Sequence, residues 1–413
     1  MTIKVFMGIK GLTKFIQECG VIVPYSDYKN KYVVVDVFQK IYRYCTNKNN
    51  IMNVPTNEND DTRFIYNKHL RAILNSVKHF NKFQTHPIYV FDGLSIAIKV
   101  KNKKDAKNKR LSESSDTQSQ LSGTVDDKKE MKKVFKISPL QIKDCEILLN
   151  LLGIPNIRAP HEADSQCAAF TICNNSKIVS TVMTDDTDVL VFGATSILRM
   201  LPLTIVNTLR QLFKRFIETH PQTNRKYSIS DILNVLHEDL IQCGLDKKIC
   251  MSYQYNLETI VQFSDRTNIN FAIKYDSKNV CEYLLTKANK ILLENILCKI
   301  DKFTMNNFID MCIIFGTDYS PRICDMYVEE IFRMFVLANL NVNKLVEELR
   351  QKNILVCDDY LDKYTSVKEY YKNASVIDPR TVDLQLYKQN KEELYNFLRK
   401  NGFSQSYATN CIG

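Results

Sequence analysis

The sequence predicts an α/β fold in which a central, mostly parallel, twisted sheet is flanked by helices and followed by a largely helical C-terminal region. Three observations predict it. Strand and helix patterns alternate through residues 7–98 and again through 140–200. The strand patterns are short and apolar, as in Val33–Val35, Ile88–Phe91, Ile154–Ala159 and Ile178–Met183. Each of these leads into acidic residues, respectively Asp36, Asp92, Glu162 with Asp164, and Asp186 with Asp188, while Asp318 follows the apolar stretch Met311–Phe315. In an open α/β sheet, ligands bind in the crevice beyond the carboxyl ends of the strands, so carboxylates delivered there from several strands converge. Unneutralised, they repel one another and raise one another's pKa values. A pair of magnesium or manganese ions resolves that conflict, because hard cations prefer oxygen ligands.

Taken in order, residues 7–110 form the N-terminal region, whose regular pattern ends in the Asp92-Gly93 turn. Residues 99–136 change character. A basic run from Lys99 through Lys103 to Lys107 and Arg110 gives way to a polar stretch, and then to Lys128, Lys129, Lys132 and Lys133. The polar middle cannot bury enough apolar surface to order itself and is expected to be mobile. Regular structure resumes at Ser138-Pro139, a helix start ahead of Cys145–Leu152. Residues 138–202 read as a helix–strand–helix–strand unit. Residues 203–288 show amphipathic helical patterns (Leu209–Ile217, Ile229–Leu240) without a concentration of chemistry, and are expected to be an inserted helical subdomain. Residues 289–413 read as mostly helical.

At 413 residues the chain exceeds the usual single core, which points to one large domain with insertions or to two lobes. Its net charge is +10 despite the acids. A basic exterior around an acidic pocket suits a polyanion held by its backbone, although a merely basic surface is common. The 13 cysteines form an odd count without a CxxC pair, a reduced, intracellular usage rather than a disulfide framework. Cys167 and Cys312 lie in apolar contexts and read as core. No apolar run approaches a membrane span and no signal peptide is visible, so a soluble intracellular protein without a membrane partner is expected.

The most specific signal is Ala159-Pro160-His161-Glu162-Ala163-Asp164-Ser165-Gln166-Cys167-Ala168. It resembles the A-P-x-E-A-[DE]-x-Q-C-A stretch of the flap endonuclease family of structure-specific 5′ nucleases. Met7-Gly8-Ile9-Lys10-Gly11-Leu12 is similar to the family's amino terminus. Val90-Phe91-Asp92-Gly93, Thr184-Asp185-Asp186-Thr187-Asp188 and Cys312-Ile313-Ile314-Phe315-Gly316-Thr317-Asp318-Tyr319 resemble its remaining metal motifs. Val376-Ile377-Asp378-Pro379 and Asn390-Lys391-Glu392-Glu393-Leu394 fit its last helices, and only 203–288 lies outside the resemblance. An isolated Asp after a strand is more often a helix cap than a ligand; seven acids in the family's order reverse that judgement.

The resemblance implies a PIN-like 5′-nuclease fold with a helical arch at 99–136. It places Asp36, Asp92, Glu162 and Asp164 mainly around one Mg2+, and Asp186, Asp188 and Asp318 mainly around a second, with Mn2+ able to substitute. His161 reads as a loop residue, since imidazole suits magnesium poorly. Two such ions, about 3.5–4 Å apart, clamp the attacking and leaving oxygens of an in-line displacement. Lys99, at the spacing of the family's active-site lysine, is expected to polarise the scissile phosphate. The family's next basic position is Ala106 here, and Lys103, one helical turn after Lys99, is the preferred substitute. Gly8, Tyr42, Lys107, Arg110, Lys128 and Lys132 complete the expected DNA contacts, with Tyr42 stacking on an unpaired base. The basic run also fits a nuclear-import signal or a solvated face.

Two family features are missing: the glycine-rich turn against the duplex backbone, replaced by Ser320–Tyr327 with its acidic Asp325, and a sliding-clamp box in the tail. The expected activity is magnesium-dependent 5′ flap endonuclease with 5′–3′ exonuclease capability, in DNA replication, repair or recombination, acting as a monomer on DNA with 5′ single-stranded flaps or ends. The alternatives are a 5′–3′ exonuclease or a bubble- or junction-cutting enzyme of the same fold, and, less favoured, a catalytically silent nucleic-acid- or protein-binding scaffold. Heavy Asn, Lys, Ile and Tyr usage fits an AT-rich genome such as that of a large DNA virus, which leaves the nucleus and a viral replication site as alternative locations. Met1 and Met7 both remain candidate start positions.

Overall fold

The computed structural model describes residues 9, 11–46, 67–94, 137–173, 179–200, 254–255 and 271–412. In chain order the elements are α1 (Leu12–Phe15), β1 (Val21–Pro24), β2 (Tyr32–Asp36), α2 (Val37–Thr46), α3 (Lys68–Lys82), β3 (His86–Phe91), α4 (Pro139–Leu151), β4 (Asn156–Arg158), α5 (Ala163–Ile172), β5 (Val179–Met183), α6 (Asp188–Val191) and β6 (Ser196–Met200). There follow β7 (Gln254–Tyr255), β8 (Phe271–Asp276), α7 (Ser277–Glu294), α8 (Met305–Phe315), α9 (Val328–Leu337), α10 (Val342–Gln351), α11 (Tyr360–Lys372), α12 (Lys391–Lys400) and α13 (Gln405–Ile412). The expected arch at 99–136 and the helical patterns at 209–217 and 229–240 lie outside the described residues. The chain divides into two compact units, each assembled from separated segments: residues 1–33 with 168–374, and residues 34–167 with 375–413.

In the second unit the strand order is β4-β3-β2. β3 and β4 run parallel, with Tyr89 opposite Asn156 and Phe91 opposite Arg158. Val34, Val35 and Ile88 to Phe91 are fully buried, which is why these strands read as unbroken apolar runs: a parallel strand covered on both faces has no solvent side to alternate toward. α4 begins where the sequence predicts. Ser138 Oγ accepts the Gln141 N–H, Gln141 Oε1 accepts the Ser138 N–H, and Pro139 fills the first helical position, where a missing N–H costs nothing. α3 packs on α2 and α4, and α12 packs on α4 and α13. The Arg71 guanidinium lies over the Phe403 and Tyr407 rings at 4.9 and 5.2 Å, fastening the last helices to α3 through cation–π attraction.

In the first unit the order is β5-β6-β8-β1-β7. β5 with β6 and β1 with β7 are parallel, whereas β8 is antiparallel to both of its neighbours. α8 is buried on every side from Phe308 to Phe315. The Phe15 ring of α1 meets Phe315 and Phe332 edge-on at 5.2 and 5.0 Å, the geometry that aromatic quadrupoles favour.

Within the stretch 203–288, expected to be an inserted helical subdomain, the described residues give a strand, β8, at Phe271–Asp276 ahead of the helix that begins at Ser277. Its Ala272, Ile273 and Tyr275 are buried, and β-branched and aromatic side chains suit a pleated, covered surface. No glycine or proline marks its ends, so its pattern merges with that of α7 in the sequence. α7 itself runs across the expected boundary at 288/289. The expectation of a mostly helical chain after 289 holds, from α8 to α13.

Candidate active site

The acids of the second unit are delivered by strand ends and by one tight loop contact. Asp36 closes β2, and its Oδ1 accepts the Gln39 N–H of α2 at 3.4 Å. Asp92 follows β3. Beyond it the chain is pressed against the loop that carries Glu162: the Gly93 N–H donates to the His161 carbonyl at 2.6 Å and the Leu94 N–H to the Pro160 carbonyl at 3.1 Å. A Cβ on Gly93 would stand 2.0 Å from the Ala159 carbonyl oxygen, so only glycine permits this approach. The contact brings Asp92 to the start of α5, where its Oδ1 accepts the Ala163 N–H at 2.7 Å. Asp164 lies in the first turn of α5, and Glu162, immediately before it, is buried.

Beneath them is Cys167. Burial pushes its thiol well above the ordinary range, and the charges of Asp36, Asp164 and Asp92 push it further. Three of the four acids expected around one metal therefore bear on a single buried sulfur. Tyr42 of α2 belongs to the same neighbourhood: burial raises its phenol, and the Asp92 charge adds to the effect. His161 turns Nδ1 toward the Leu94 carbonyl at 3.3 Å, a loop contact as expected.

The acids of the first unit form a second group. Asp188 is 3% exposed and opens α6. Its Oδ1 accepts the Ile9 N–H at 2.9 Å, and its own N–H donates to Asp186 Oδ1 at 3.0 Å. Burial holds the Asp188 carboxyl well above the carboxylate range; the charges of Asp186 and Asp318 push the same way, against the Ile9 N–H. Asp185, ahead of the motif's other two acids, accepts the Met200 N–H at 3.2 Å and so ties down the end of β6. Asp318 follows Gly316, which ends α8 with φ 91°, and lies exposed in a turn where Thr317 Oγ1 accepts the N–H groups of Tyr319 and Ser320, each at 3.0 Å.

Sequence reasoning missed three participants in this group. The Ile9 N–H reaches Asp188 across 179 positions, which no local pattern announces. Tyr371 of α11, packed among Phe192, Tyr370 and Tyr319, has its phenol raised by burial and by the charges of Asp188 and Asp186. Cys312 of α8 is buried beside Asp188, as Cys167 is beside Asp36. Of the expected DNA and phosphate contacts, Gly8, Lys99, Lys103, Lys107, Arg110, Lys128 and Lys132 lie outside the described residues. Tyr42 is described.

The donor chemistry of both groups is uniformly carboxylate oxygen, the set that hard divalent cations take. In the first unit the mutual repulsion seen at Asp188 is what such a cation would relieve. As the side chains stand, no group of three His, Cys, Asp or Glu among the described residues is arranged to hold an ion, so the fit is one of charge and donor type. Among the described residues no helix is long and apolar enough to cross a membrane.

Residues 7–117 match the family model of the XPG N-terminal domain and residues 153–245 that of the XPG I-region. The second match runs past 202 into the stretch expected to lie outside the family. Flap endonuclease 1-B of Oryza sativa subsp. indica is 33% identical over 202 residues, 47% of each chain. Flap endonuclease 1 of Plasmodium knowlesi (strain H) is 23% identical over 416 residues, covering 98% of this chain and 57% of that protein. The chain spans about half the length of the curated relatives it matches. Among solved structures, the catalytic core of Rad2 in complex with DNA substrate superposes with a TM-score of 0.58 at 16% identity, covering 98% of this chain and 99% of that one. The Holliday junction-resolving enzyme GEN1, in complex with product DNA and a Mg2+ ion, superposes with a TM-score of 0.51 at 15% identity, covering 95% and 73%. At these identities the likeness is one of fold, the PIN-like 5′-nuclease fold.

Proposed function

We propose that the chain, whose residues 7–117 and 153–245 match the XPG N-terminal domain and XPG I-region family models, is a flap endonuclease family member: a magnesium-dependent, structure-specific 5′ flap endonuclease with 5′–3′ exonuclease capability. One observation carries the reading: Asp188 is buried beside Asp186 and within reach of the Asp318 charge, an arrangement that costs stability and that a divalent cation would offset. A chain selected for stability alone has no use for it.

Each acid group is proposed to hold one Mg2+ (or Mn2+): Asp36, Asp92, Glu162 and Asp164 in the second unit, and Asp186, Asp188 and Asp318 in the first. Bound there, the ions supply a water of lowered pKa and charge neutralisation for the scissile phosphodiester. The Ile9 N–H fixes one Asp188 oxygen, leaving the other lone pairs for the ion. The Ala163 N–H fixes one oxygen of Asp92 in the same way. Tyr42 offers a ring for an unpaired base, worth about 1–3 kcal/mol per stacked base without regard to sequence. Lys99 and Lys103 are proposed to offset the negative charge that seven carboxylates leave even around two dications, which would otherwise repel the phosphate. The chain is proposed to act as a monomer on DNA with 5′ flaps or ends, in the nucleus or at a viral replication site.

The deciding experiment presents end-labelled 5′-flap, nicked, bubble, four-way-junction and blunt DNA to the protein with and without Mg2+. Preferential, Mg2+-dependent cutting near the base of the flap is expected. Cutting confined to bubbles or junctions would favour the related enzymes of the same fold, and DNA binding without any cutting would favour a silent scaffold.

A further inference from the structure

The loop that carries Asp318 is closed by a cation of the chain's own. After α8 the chain doubles back so sharply that a Cβ on Gly316 would lie 2.8 Å from the Arg322 nitrogen. The Thr317 N–H donates to the Ser320 carbonyl at 2.9 Å, making the short turn in which Asp318 sits. The Arg322 side chain then spans the loop from end to end. Its Nε donates to the Phe315 carbonyl at 3.1 Å and its Nη1 to the Met326 carbonyl, also at 3.1 Å. The Phe315 carbonyl is one of the last in α8, where acceptors lack helical partners and the helix dipole is negative, so a guanidinium is doubly suited to it. A lysine lacks the rigid planar fork that satisfies two carbonyls at once.

The loop has anchors that do not depend on this contact. Tyr319, Ser320, Ile323 and Cys324 are buried, and the Ile323 N–H donates to the Ile314 carbonyl at 3.1 Å. Removing the guanidinium therefore leaves the loop attached while releasing the direction in which its exposed turn presents Asp318.

We propose that Arg322 is a positioning residue: by bridging the Phe315 and Met326 carbonyls it orients the Asp318 carboxylate toward the divalent ion held with Asp186 and Asp188. The inference rests on the metal assignment above. It is tested on the full chain with Arg322→Met, Arg322→Lys and Asp318→Asn, singly and with Arg322→Met combined with Asp318→Asn. The readouts are Mn2+ binding by electron paramagnetic resonance without DNA, the melting temperature, and kcat and KM on flap DNA across a Mg2+ titration.

Arg322→Met is expected to weaken Mn2+ binding and raise the Mg2+ midpoint by about tenfold, the lower range for outer partners of metal ligands, with KM for DNA unchanged. Arg322→Lys should recover part of the loss. In the Asp318→Asn background Arg322→Met should add nothing, since the two act on one ligand. A folded Arg322→Met with unchanged Mn2+ binding, or one whose loss persists undiminished in the Asp318→Asn background, overturns the inference while leaving the metal assignment intact. Should Arg322→Met fail to fold, Arg322→Lys decides: wild-type Mn2+ affinity in that variant overturns it. If the unsubstituted chain neither binds Mn2+ nor cuts DNA, the metal assignment falls first and the inference with it.

Discussion

Both acid groups set aspartates against backbone N–H groups, and Asp188 shows how far burial can outweigh such a bond. In the second unit Asp36 and Asp92 take backbone N–H groups at the starts of α2 and α5, the placement in which a carboxylate is stabilised by unpaired donors and by the helix dipole. In the first unit Asp188 also accepts an N–H, yet burial and two neighbouring carboxylates override that help and keep its acid strength low. Helix cap and metal ligand are thus not exclusive readings of an aspartate, because an ionised carboxylate has several lone pairs and a cap occupies one.

That contrast can be broken at several points. The largest effect is expected for Asp186→Asn and Asp188→Asn, each lowering cleavage by about a thousandfold, the several kcal/mol that metal catalysis contributes, with DNA affinity retained in a gel-shift titration. Asp188→Asn should also raise the metal-free melting temperature, since it deletes a desolvated charge and keeps an acceptor for Ile9; a lower melting temperature would remove the strained-group reading. Next is Gly93→Ala, which forces a methyl into the Ala159 carbonyl and should cost roughly 3 kcal/mol in urea unfolding, at the upper end for overpacking. An Ala variant as stable as the parent would show that the close approach is not what seats Asp92.

Magnesium should raise the melting temperature of the parent, about 2.7 kcal/mol at a hundred times the dissociation constant, and by much less in Asp188→Asn. A third comparison concerns acid. His79, half-buried against the Phe80 and Phe83 rings, has its pKa lowered to about 4, chiefly by burial, with Lys40 and Lys82 adding to it. The unfolded chain therefore binds the proton more readily, so stability is full above the unfolded value near 6.5 and is lost as pH falls toward 4. At 1.36 kcal/mol per pKa unit the loss reaches at most about 3 kcal/mol, and solvent screening of the partly exposed ring brings it nearer 1–2 kcal/mol. His79→Gln should flatten that part of the pH–stability curve, and an unchanged slope would assign it to other groups. The smallest effect is expected for Asp92→Ala, about 1 kcal/mol of stability for the lost cap at Ala163 alongside its loss of cleavage, whereas Asp188→Asn loses cleavage and gains stability.

The sequence was most legible where one local pattern carried the whole message. Val33 to Val35 ahead of Asp36, Ile88 to Phe91 ahead of Asp92, and the Ser138-Pro139 helix start all appear in the structure as read. Legibility ended where the cause is remote. β8 is a strand because β1 and β6 flank it, and nothing within Phe271–Asp276 states that. Tyr371 matters through Asp188 on another element, and Arg322 through two carbonyls that any residues could supply. Cys167 and Cys312 were legible as core, but not as the sulfurs on which Asp36, Asp164 and Asp92, and Asp188, respectively bear.

The division into units that each draw on distant stretches of chain has a consequence for biogenesis. Synthesis passes through 1–33 of one unit, then most of the other, before returning to the first, and the segment 375–413 that completes the second unit is made only after 168–374 of the first. The 34–167 part of the second unit therefore waits through the synthesis of 168–374 before its remaining segment is made, and its incomplete surface stays exposed in that interval, a period in which chaperone capture competes with aggregation.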